Sequence, residues 1–579
     1  MTRTNEQSSA MTKPKRKYTS RARTGCETCR IRRVKCDESP GSCRNCTSTG
    51  RKCEGYDMTR LPRRRSPLAV GVGGGAMMTM TMVSELSTAA LPGKTSDERR
   101  CFDVFQNRTI PMFMTLFDSD VWRVVLQMSQ SDPSVCHAVV AFSALHEGTL
   151  RQQRHWAHGR SLVIRHRDFA LKQYGRALSS LAARLRSNDP QMRYVTLVCC
   201  IVFVLFELLN DNYSGVLVHL QNGVNVLTNT TGEPARASII GGAIHPSGSN
   251  SPRFDAELRR TFAHLDVQSI YFDRASRAMN IYPSYGDPVN LDECPIWFDS
   301  LYGAKETIDP LLNNVLAIWR VSQMILRDRD ARSGPAYENL LAEQHRMRTY
   351  LARHVAAFTQ FLTRHPPTIA RDLRSRDVIL LDHIVLFMNV EACIGLSEMV
   401  FDAWHAEWTE TVNLIEKIIR SAIAEFGSVS ALPNVVFDLG INLPLGWVVL
   451  KCRDPVLRQR ALDLQRLWPH SEGLHPTAFL MNMGQQVSNI EQEGMDPVTG
   501  VIPEEARIRT VNIEIDEDRT RGKLIYSLSD PTAEQLVVRE RWFEFDEGVA
   551  ELQPRSSSLR PRRKRPPEMS TSLSSTPAY

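Results

Sequence analysis

Beyond position 96 the apolar residues recur mainly at steps of three and four, the spacing that gathers them on one face of an α-helix. Leu171, Tyr174, Leu178, Leu181 and Leu185 follow it, predicting one face of an amphipathic helix that ends near "SNDP" at 187–190. Upstream, "SDPSVCHAVVAFSALHE" opens with the cap-type residues Ser131 and Asp132, sets Pro133 in the first turn and continues apolar. The run Leu197 to Phe206, "LVCCIVFVLF", is apolar on every side. At ten residues it falls short of the roughly 20 that a membrane-spanning helix needs, so it predicts a buried core helix over 195–209 and no membrane partner. Near the C-terminal end the period changes. Val511, Ile513 and Ile515 alternate with Asn512, Glu514 and Asp516, and "KLIYSLSD" follows a polar turn, which predicts a short β-hairpin over 508–530. "RWFEFDEG" (541–548) mixes aromatic and acidic residues; its expected role is packing of a final helix or strand, ahead of an activating surface. The expected body is therefore a large all-α multi-helix domain over 99–548 with one short hairpin.

Composition divides the rest. Residues 59–98, including "RLPRRRSPLAVGVGGGAMMTMTM", are rich in Gly, Pro and small side chains and read as a flexible linker. A Gly/Ser/Pro-rich stretch at 229–253 reads as a disordered insert, 1–20 as a basic disordered tail and 549–579 as a basic, Ser-rich one. "MTRTNEQSSA" at the start lacks the apolar core of a signal peptide, so a reducing compartment is expected.

Charge separates the same regions. The net +7 of the 579 residues hides a first segment, 1–65, with 18 Lys and Arg against six Asp and Glu. Residues 554–579 carry six against one, and the middle carries 47 against 57. A basic head on an acidic body is the electrostatic footprint of a polyanion-binding module attached to a domain with other work.

Six of the 13 cysteines lie in that head: Cys26, Cys29, Cys36, Cys43, Cys46 and Cys53. They form C-x2-C-x6-C twice, offset by seventeen residues. In a reducing compartment this pattern speaks for metal-bound thiolates rather than disulfides. Zinc takes four ligands, so six sulfurs serve one ion with two to spare, or two ions if two sulfurs are shared; the internal repeat favours the second. Such a segment has no core and must be held by its metal. Its first half predicts a helix from Thr28 to Val34 that presents Arg30, Arg32, Arg33 and Lys35 within two turns. The guanidinium fork of Arg suits guanine O6 and N7 in the major groove.

With its six cysteines, "CRIRRVKCDE" and "GRKCEGY", this segment (21–58) resembles the fungal binuclear zinc-cluster DNA-binding domain of transcription regulators. The resemblance implies two zinc ions bridged by Cys26 and Cys43, with Cys29 and Cys36 completing one site and Cys46 and Cys53 the other. It implies base contacts from Arg32 and Arg33 to a G/C-rich triplet of the CGG type. Phosphate contacts would come from Arg30, Lys35, Arg51 and Lys52. Pro40 stands three residues before Cys43, where the family usually has proline two before. "FDSDVWRVVLQMSQSDPSVCHAVVAFSALHE", "LKQYGRALSSLAARL" and "FAHLDVQSIYF" resemble the helical regulatory region of the same regulators. The protein is therefore expected to act in the nucleus on RNA polymerase II genes, with double-stranded DNA and transcription co-regulators as partners. Lys13, Lys15, Arg16 and Lys17 in "KPKRK", Arg63 to Arg65, and Arg562, Arg563, Lys564 and Arg565 are nuclear-localisation candidates. No sustained a/d heptads follow the cluster, so a homodimer would have to be joined elsewhere than by a coiled coil there.

Enzyme signatures are missing: no G-x-x-x-x-G-K-[ST], G-x-S-x-G or H-E-x-x-H occurs. His155 and His158 in "HWAH" lack a third ligand nearby and read as an exposed pair. No catalysis is expected. The alternative is a DNA-targeted or ligand-sensing metalloprotein whose helical body binds a metabolite or has catalytic activity.

Overall fold

The computed structural model of the chain describes residues 26–32, 34–37, 39, 43–53, 95–154, 159–186, 191–210, 212–228, 251–269, 296–325, 334–395, 397–473, 475–515, 521–530 and 535–544. The predicted tails, residues 59–94 of the predicted linker, 229–250 of the predicted insert, 270–295, Pro40 and Gly41, His155 and His158, and all the nuclear-localisation candidates lie outside them. The last residues assigned to the linker (95–98) and to the insert (251–253) instead cap or open helices, because Thr95 and Glu98 form a helix cap and the 251–253 segment continues into an amphipathic helix.

The cysteine segment holds two short helices, α1 (Glu27–Ile31) and α2 (Arg44–Thr47). The body opens at α3 (Ser96–Val104) with a capping box, in which Thr95 Oγ1 accepts from the Glu98 amide and Glu98 Oε2 accepts from the Thr95 amide. A π-turn over 105–109 leads into α4 (Ile110–Phe113). There follow α5 (Val121–Ser131), α6 (Pro133–Arg154), α7 (Gly159–Arg184), α8 (Met192–Leu209), α9 (Tyr213–Thr228) and α10 (Ser251–Ser269). The C-terminal half holds α11 (Leu301–Ile325), α12 (Pro335–Arg364), α13 (Ala370–Ala392) and α14 (His405–Phe426). Then come α15 (Asn442–Lys451), α16 (Pro455–Leu467) and α17 (Thr477–Glu493).

Asp132 caps α6 as predicted, its Oδ1 accepting from the amides of Ser134 (2.7 Å) and Val135 (3.2 Å) while Arg184 pairs with Oδ2. Ser131 instead closes α5. Helix α8 is apolar and long enough to cross a membrane by composition, but every residue from Leu197 to Leu208 is buried in the protein, packed with α6 and α9.

Helix α7 departs from expectation. Its buried positions among the described side chains are His166, Phe169, Ala170, Gln173, Ala177 and Leu181, whereas Leu171, Leu178 and Leu185 are exposed. Alanines at 170 and 177 let α6 approach closely, and Gln173 is held by His137 and Glu98 at 2.7 and 3.0 Å. Tyr174 stacks on Phe206, ring centroids 4.4 Å apart. The intramolecular core thus uses a face turned by about one residue from the leucine stripe.

The two halves meet on the stretch after β1 (Val435–Val436), which pairs in parallel with β2 (Ser471–Glu472); β2 in turn pairs with β3 (His475–Pro476). Val435 and Phe437 enter the N-terminal core, Phe437 standing edge-on to Trp122, while Val436 and Ile441 enter the C-terminal core. The fully buried Glu472 carboxylate accepts from the amides of Gly440, Ile441 and Asn442 at 2.7–2.9 Å, anchoring the start of α15.

The predicted hairpin over 508–530 is present as β4 (Ile508–Ile515) and β5 (Arg521–Asp530), and β6 (Gln535–Glu544) extends it to a three-stranded antiparallel sheet in that order. A lone hairpin is marginal in water; here Ile513, Leu524, Tyr526, Leu528 and Phe543 pack on Met483, Val487 and Ile490 of α17. The first residues of "RWFEFDEG" belong to β6. A Cβ at Gly522 would lie 2.5 Å from Phe543 Cζ, so glycine is required opposite that ring.

One buried ionic node ties α10, α11 and α13 to the central stretch. Lys305 Nζ lies 2.8 Å from Asp309 Oδ1 and 3.1 Å from Asp382 Oδ2. His264 reaches Asp309 with one ring nitrogen (3.0 Å) and Asp438 with the other (3.5 Å). Burial opposes charge on Asp309, but Lys305 and His264 outweigh it and hold its carboxyl at about 2; burial dominates at Asp382, raised to about 6. Replacing Lys305 by Met leaves two buried carboxylates without their cation. Urea unfolding of the full chain should show a loss of about 3–5 kcal/mol at neutral pH. Acid neutralises the stranded carboxyls, and without Lys305 Asp382 is lifted above the value of about 6 it has beside that cation, so the deficit relative to wild type should already shrink as the pH falls toward 6.

Candidate metal centre and nucleic-acid interface

Between residues 26 and 53 the only fully buried side chains described are Cys26, Cys29, Cys43 and Cys46; Cys36 and Cys53 pack against them, half-buried. The seventeen-residue repeat becomes a pseudo-two-fold in space. Cys26 N donates to Cys36 Sγ (3.3 Å) and, seventeen residues on, Cys43 N donates to Cys53 Sγ (3.4 Å). Cys29 N donates to Cys26 Sγ (3.4 Å) and Cys46 N to Cys43 Sγ (3.3 Å). Val34 N closes on Cys29 O at 3.1 Å, and Arg51 N on Cys46 O at 3.0 Å. The halves also exchange equivalent bonds: Thr28 Oγ1 donates to Lys52 O (3.2 Å), and Asn45 Nδ2 to Lys35 O (2.6 Å).

The sulfurs of Cys26, Cys29, Cys43 and Cys46 lie within 4.8 Å of one another, with Cys26 and Cys43 3.6 Å apart, and Cys36 Sγ is within 4.8 Å of Cys43 Sγ. Burial pushes the four thiols above their ordinary range. A divalent ion reverses this by taking thiolates as ligands. An all-sulfur donor set gathered this tightly fits zinc, which when bound supplies the cross-links that an apolar core would supply elsewhere.

Helix α1 is shorter than predicted. It ends at Ile31, because the chain must turn at Val34 to return Cys36 to the sulfurs. Arg30 lies within α1, Arg33 lies outside the described residues, and Lys35, Arg51 and Lys52 are exposed beyond the helices. Lys35 and Lys52 are pseudo-two-fold mates. Arg32 leans on the second half, donating to Asn45 O (3.4 Å) and Thr49 Oγ1 (3.3 Å). Its mate by the repeat is Thr49, and of the positions equivalent to 30, 32, 33 and 35 only Lys52 is basic; the second half's other basic residues, Arg44 and Arg51, are exposed.

Asp37 went unread in the sequence. Its carboxylate accepts from the amides of Arg44 (3.1 Å) and Asn45 (3.3 Å) and from the Ser39 hydroxyl, so the end of the first half is tied to the start of α2. The Ser39 bond, with the two amides, holds its carboxyl well below the usual range. The signal for Asn45 was present: it stands seventeen residues after Thr28, as Lys52 stands after Lys35.

Residues 24–63 match the fungal Zn(2)-Cys(6) binuclear cluster domain, and residues 100–317 match the fungal specific transcription factor domain. The aspercryptin biosynthesis cluster-specific transcription regulator of Emericella nidulans is 26% identical over 359 residues, 59% of this chain and 55% of its own length. A transcription regulator of Purpureocillium lilacinum is 29% identical over 214 residues, 34% of this chain and 47% of its own. A transcriptional regulatory protein of Schizosaccharomyces pombe is 64% identical over 36 residues, 6% of this chain and 7% of its own. The chain thus spans about half the length of the first two relatives. No solved structure matches.

Chelation of the full-length chain should expose the amides of 26–53 to hydrogen exchange while the helices from α3 onward keep their protection. Asp37→Ala should lower zinc affinity about tenfold in a chelator competition, as loss of a supporting contact commonly does.

Proposed function

We propose that this chain, which carries the two domains of fungal Zn(2)-Cys(6) transcription regulators, is a nuclear, sequence-specific regulator that reads a CGG-type triplet in double-stranded DNA at genes transcribed by RNA polymerase II. The observation that carries the reading is the doubled cysteine unit folded around one sulfur cluster, with Arg30, Arg32, Arg33 and Lys35 packed into six residues between the second and third cysteines. Two zinc ions share Cys26 and Cys43; Cys29 and Cys36 complete one site, Cys46 and Cys53 the other. The sulfurs of Cys26 and Cys29 lie 3.5–3.7 Å from those of Cys43 and Cys46, so the choice of Cys26 and Cys43 as the shared pair follows from the seventeen-residue repeat, in which each opens its half.

Arg32 and Arg33 read base edges and Arg30, Lys35, Arg51 and Lys52 hold phosphates. Arg32's contacts to the second half, at 3.3–3.4 Å, are long and cost little to exchange for a guanine edge. The helical body is the regulatory part, through which co-regulators are engaged.

Metal analysis of the purified chain should return two zinc ions per molecule; a single ion would rule out the shared-thiolate arrangement. Arg33→Ala should weaken CGG-containing DNA by about 1–3 kcal/mol and narrow its margin over other sequences. An equal loss on every sequence would make Arg33 a phosphate contact. Log affinity should fall with log salt by about 0.9 for each phosphate neutralised.

A further inference from the structure

Between α12 and α13, with the first turn of α14 at its rim, lies an apolar cleft of about 470 Å³. Leu351, Val355, Ile384, Phe387 and Val390 line it, and Val355 and Phe387 are each 39% exposed. Small-molecule sites typically span about 300–1,000 Å³ and are mostly apolar with a few placed polar groups. Of the polar side chains lining this cleft only His383 is buried. The others, Arg348, Glu391 and Glu407, stand nearer the solvent.

The hydrogen bonds behind His383 fix what it can offer. His354 Nε2 lies 3.1 Å from the Ala304 carbonyl, which can only accept, so that nitrogen carries the proton. Burial holds both rings below the ordinary imidazole range, His354 at about 4 and His383 at about 3, so at neutral pH each keeps a single N–H. His354 Nδ1 is then a bare acceptor, and His383 Nε2, 2.9 Å away, donates to it. That leaves the lone pair of His383 on Nδ1, which has no partner among the described residues. Charge adds a second restriction. Glu391 neutralises Arg348 through two bonds of 2.6 Å, while Glu407 has no ion-pair partner among the described residues. The uncompensated charge of the lining is therefore negative.

We infer that this cleft binds a neutral, largely apolar small molecule through one hydroxyl group, which donates to His383 Nδ1. A carboxylate has no proton to donate there and would face Glu407. An ammonium group would lose its hydration against the apolar floor. His383 is only 7% exposed, within reach of a slender ligand group and not of a docked helix's backbone. The row of hydrogen bonds runs on through His354 to Ala304 and Thr307, so the ligand's hydroxyl completes a chain linking α13, α12 and α11. This adds a ligand to the helical body and does not rest on DNA reading.

Fluorescence titration of the full chain with hydroxypyrene, methoxypyrene and pyrenecarboxylate tests this. Hydroxypyrene should bind about tenfold more tightly than methoxypyrene, which has the same rings and no donor. Pyrenecarboxylate should bind most weakly. Val355→Trp, at an exposed position, should fill the cleft and weaken hydroxypyrene by more than about tenfold, with the helical signal in circular dichroism intact. His383→Ala should abolish the preference for hydroxypyrene over methoxypyrene. Because that variant also strips His354 of its donor, the matched comparison on the unaltered chain and Val355→Trp decide the matter if it fails to fold. A chain that binds none of the probes, equal binding of the hydroxy and methoxy forms, a carboxylate that binds as tightly as hydroxypyrene, or binding indifferent to Val355→Trp would overturn the inference. None of these readouts involves DNA or zinc, so failure here leaves the proposed function untouched, and the reverse.

Discussion

Everything at the N-terminal end depends on burying cysteine sulfur where no hydrocarbon is available to bury. The described residues between 26 and 53 include no aliphatic or aromatic side chain in a core; Ile31 and Val34 are exposed, at 73% and 45%. A segment this small cannot offset its conformational entropy with apolar area. Its order comes from the backbone amides that point at the sulfurs and from the cross-links a metal held by those sulfurs would supply. That constraint also explains why α1 is one turn long: the chain must come back to deliver Cys36.

The repeat supplies a symmetric cage, and the side chains on it break the symmetry. Backbone and sulfur contacts obey the seventeen-residue offset pair by pair, down to the exchange of Thr28 with Lys52 and Asn45 with Lys35. Residue type does not. The first half carries Arg30, Arg32, Arg33 and Lys35, whereas the equivalent positions of the second are Thr47, Thr49, Gly50 and Lys52. The second half also buttresses Arg32 through Asn45 O and Thr49 Oγ1. Asp37, at the junction, fixes the angle between them through the amides that open α2.

The body solves a different problem, joining two apolar cores across a chain of alternating halves. It does so with one short stretch, 435–442, whose successive residues enter opposite cores and whose end is held by the buried Glu472. Charged groups cluster there because a stretch with little regular secondary structure leaves backbone amides to satisfy. Their carboxylates are stabilised by those amides, by Lys305 and by His264.

By itself the sequence determined the cysteine cage, the division of charge, the caps such as Asp132, and the helical or strand character of the long periodic segments. These depend on spacing and on residues within a few positions of one another, which is where periodicity and capping act. Tertiary structure decided which of two apolar faces on α7 became core. Leu181 and Tyr174 lie on both, and only the closeness that Ala170 and Ala177 allow to α6 selects between them. It also decided that β6 joins the sheet, that Lys305 meets Asp382 across 77 residues, and that Asp37 reaches the amides of α2. Each of those is a contact between segments whose separate sequences carry no mark of the other, so it exists only once packing has brought them together.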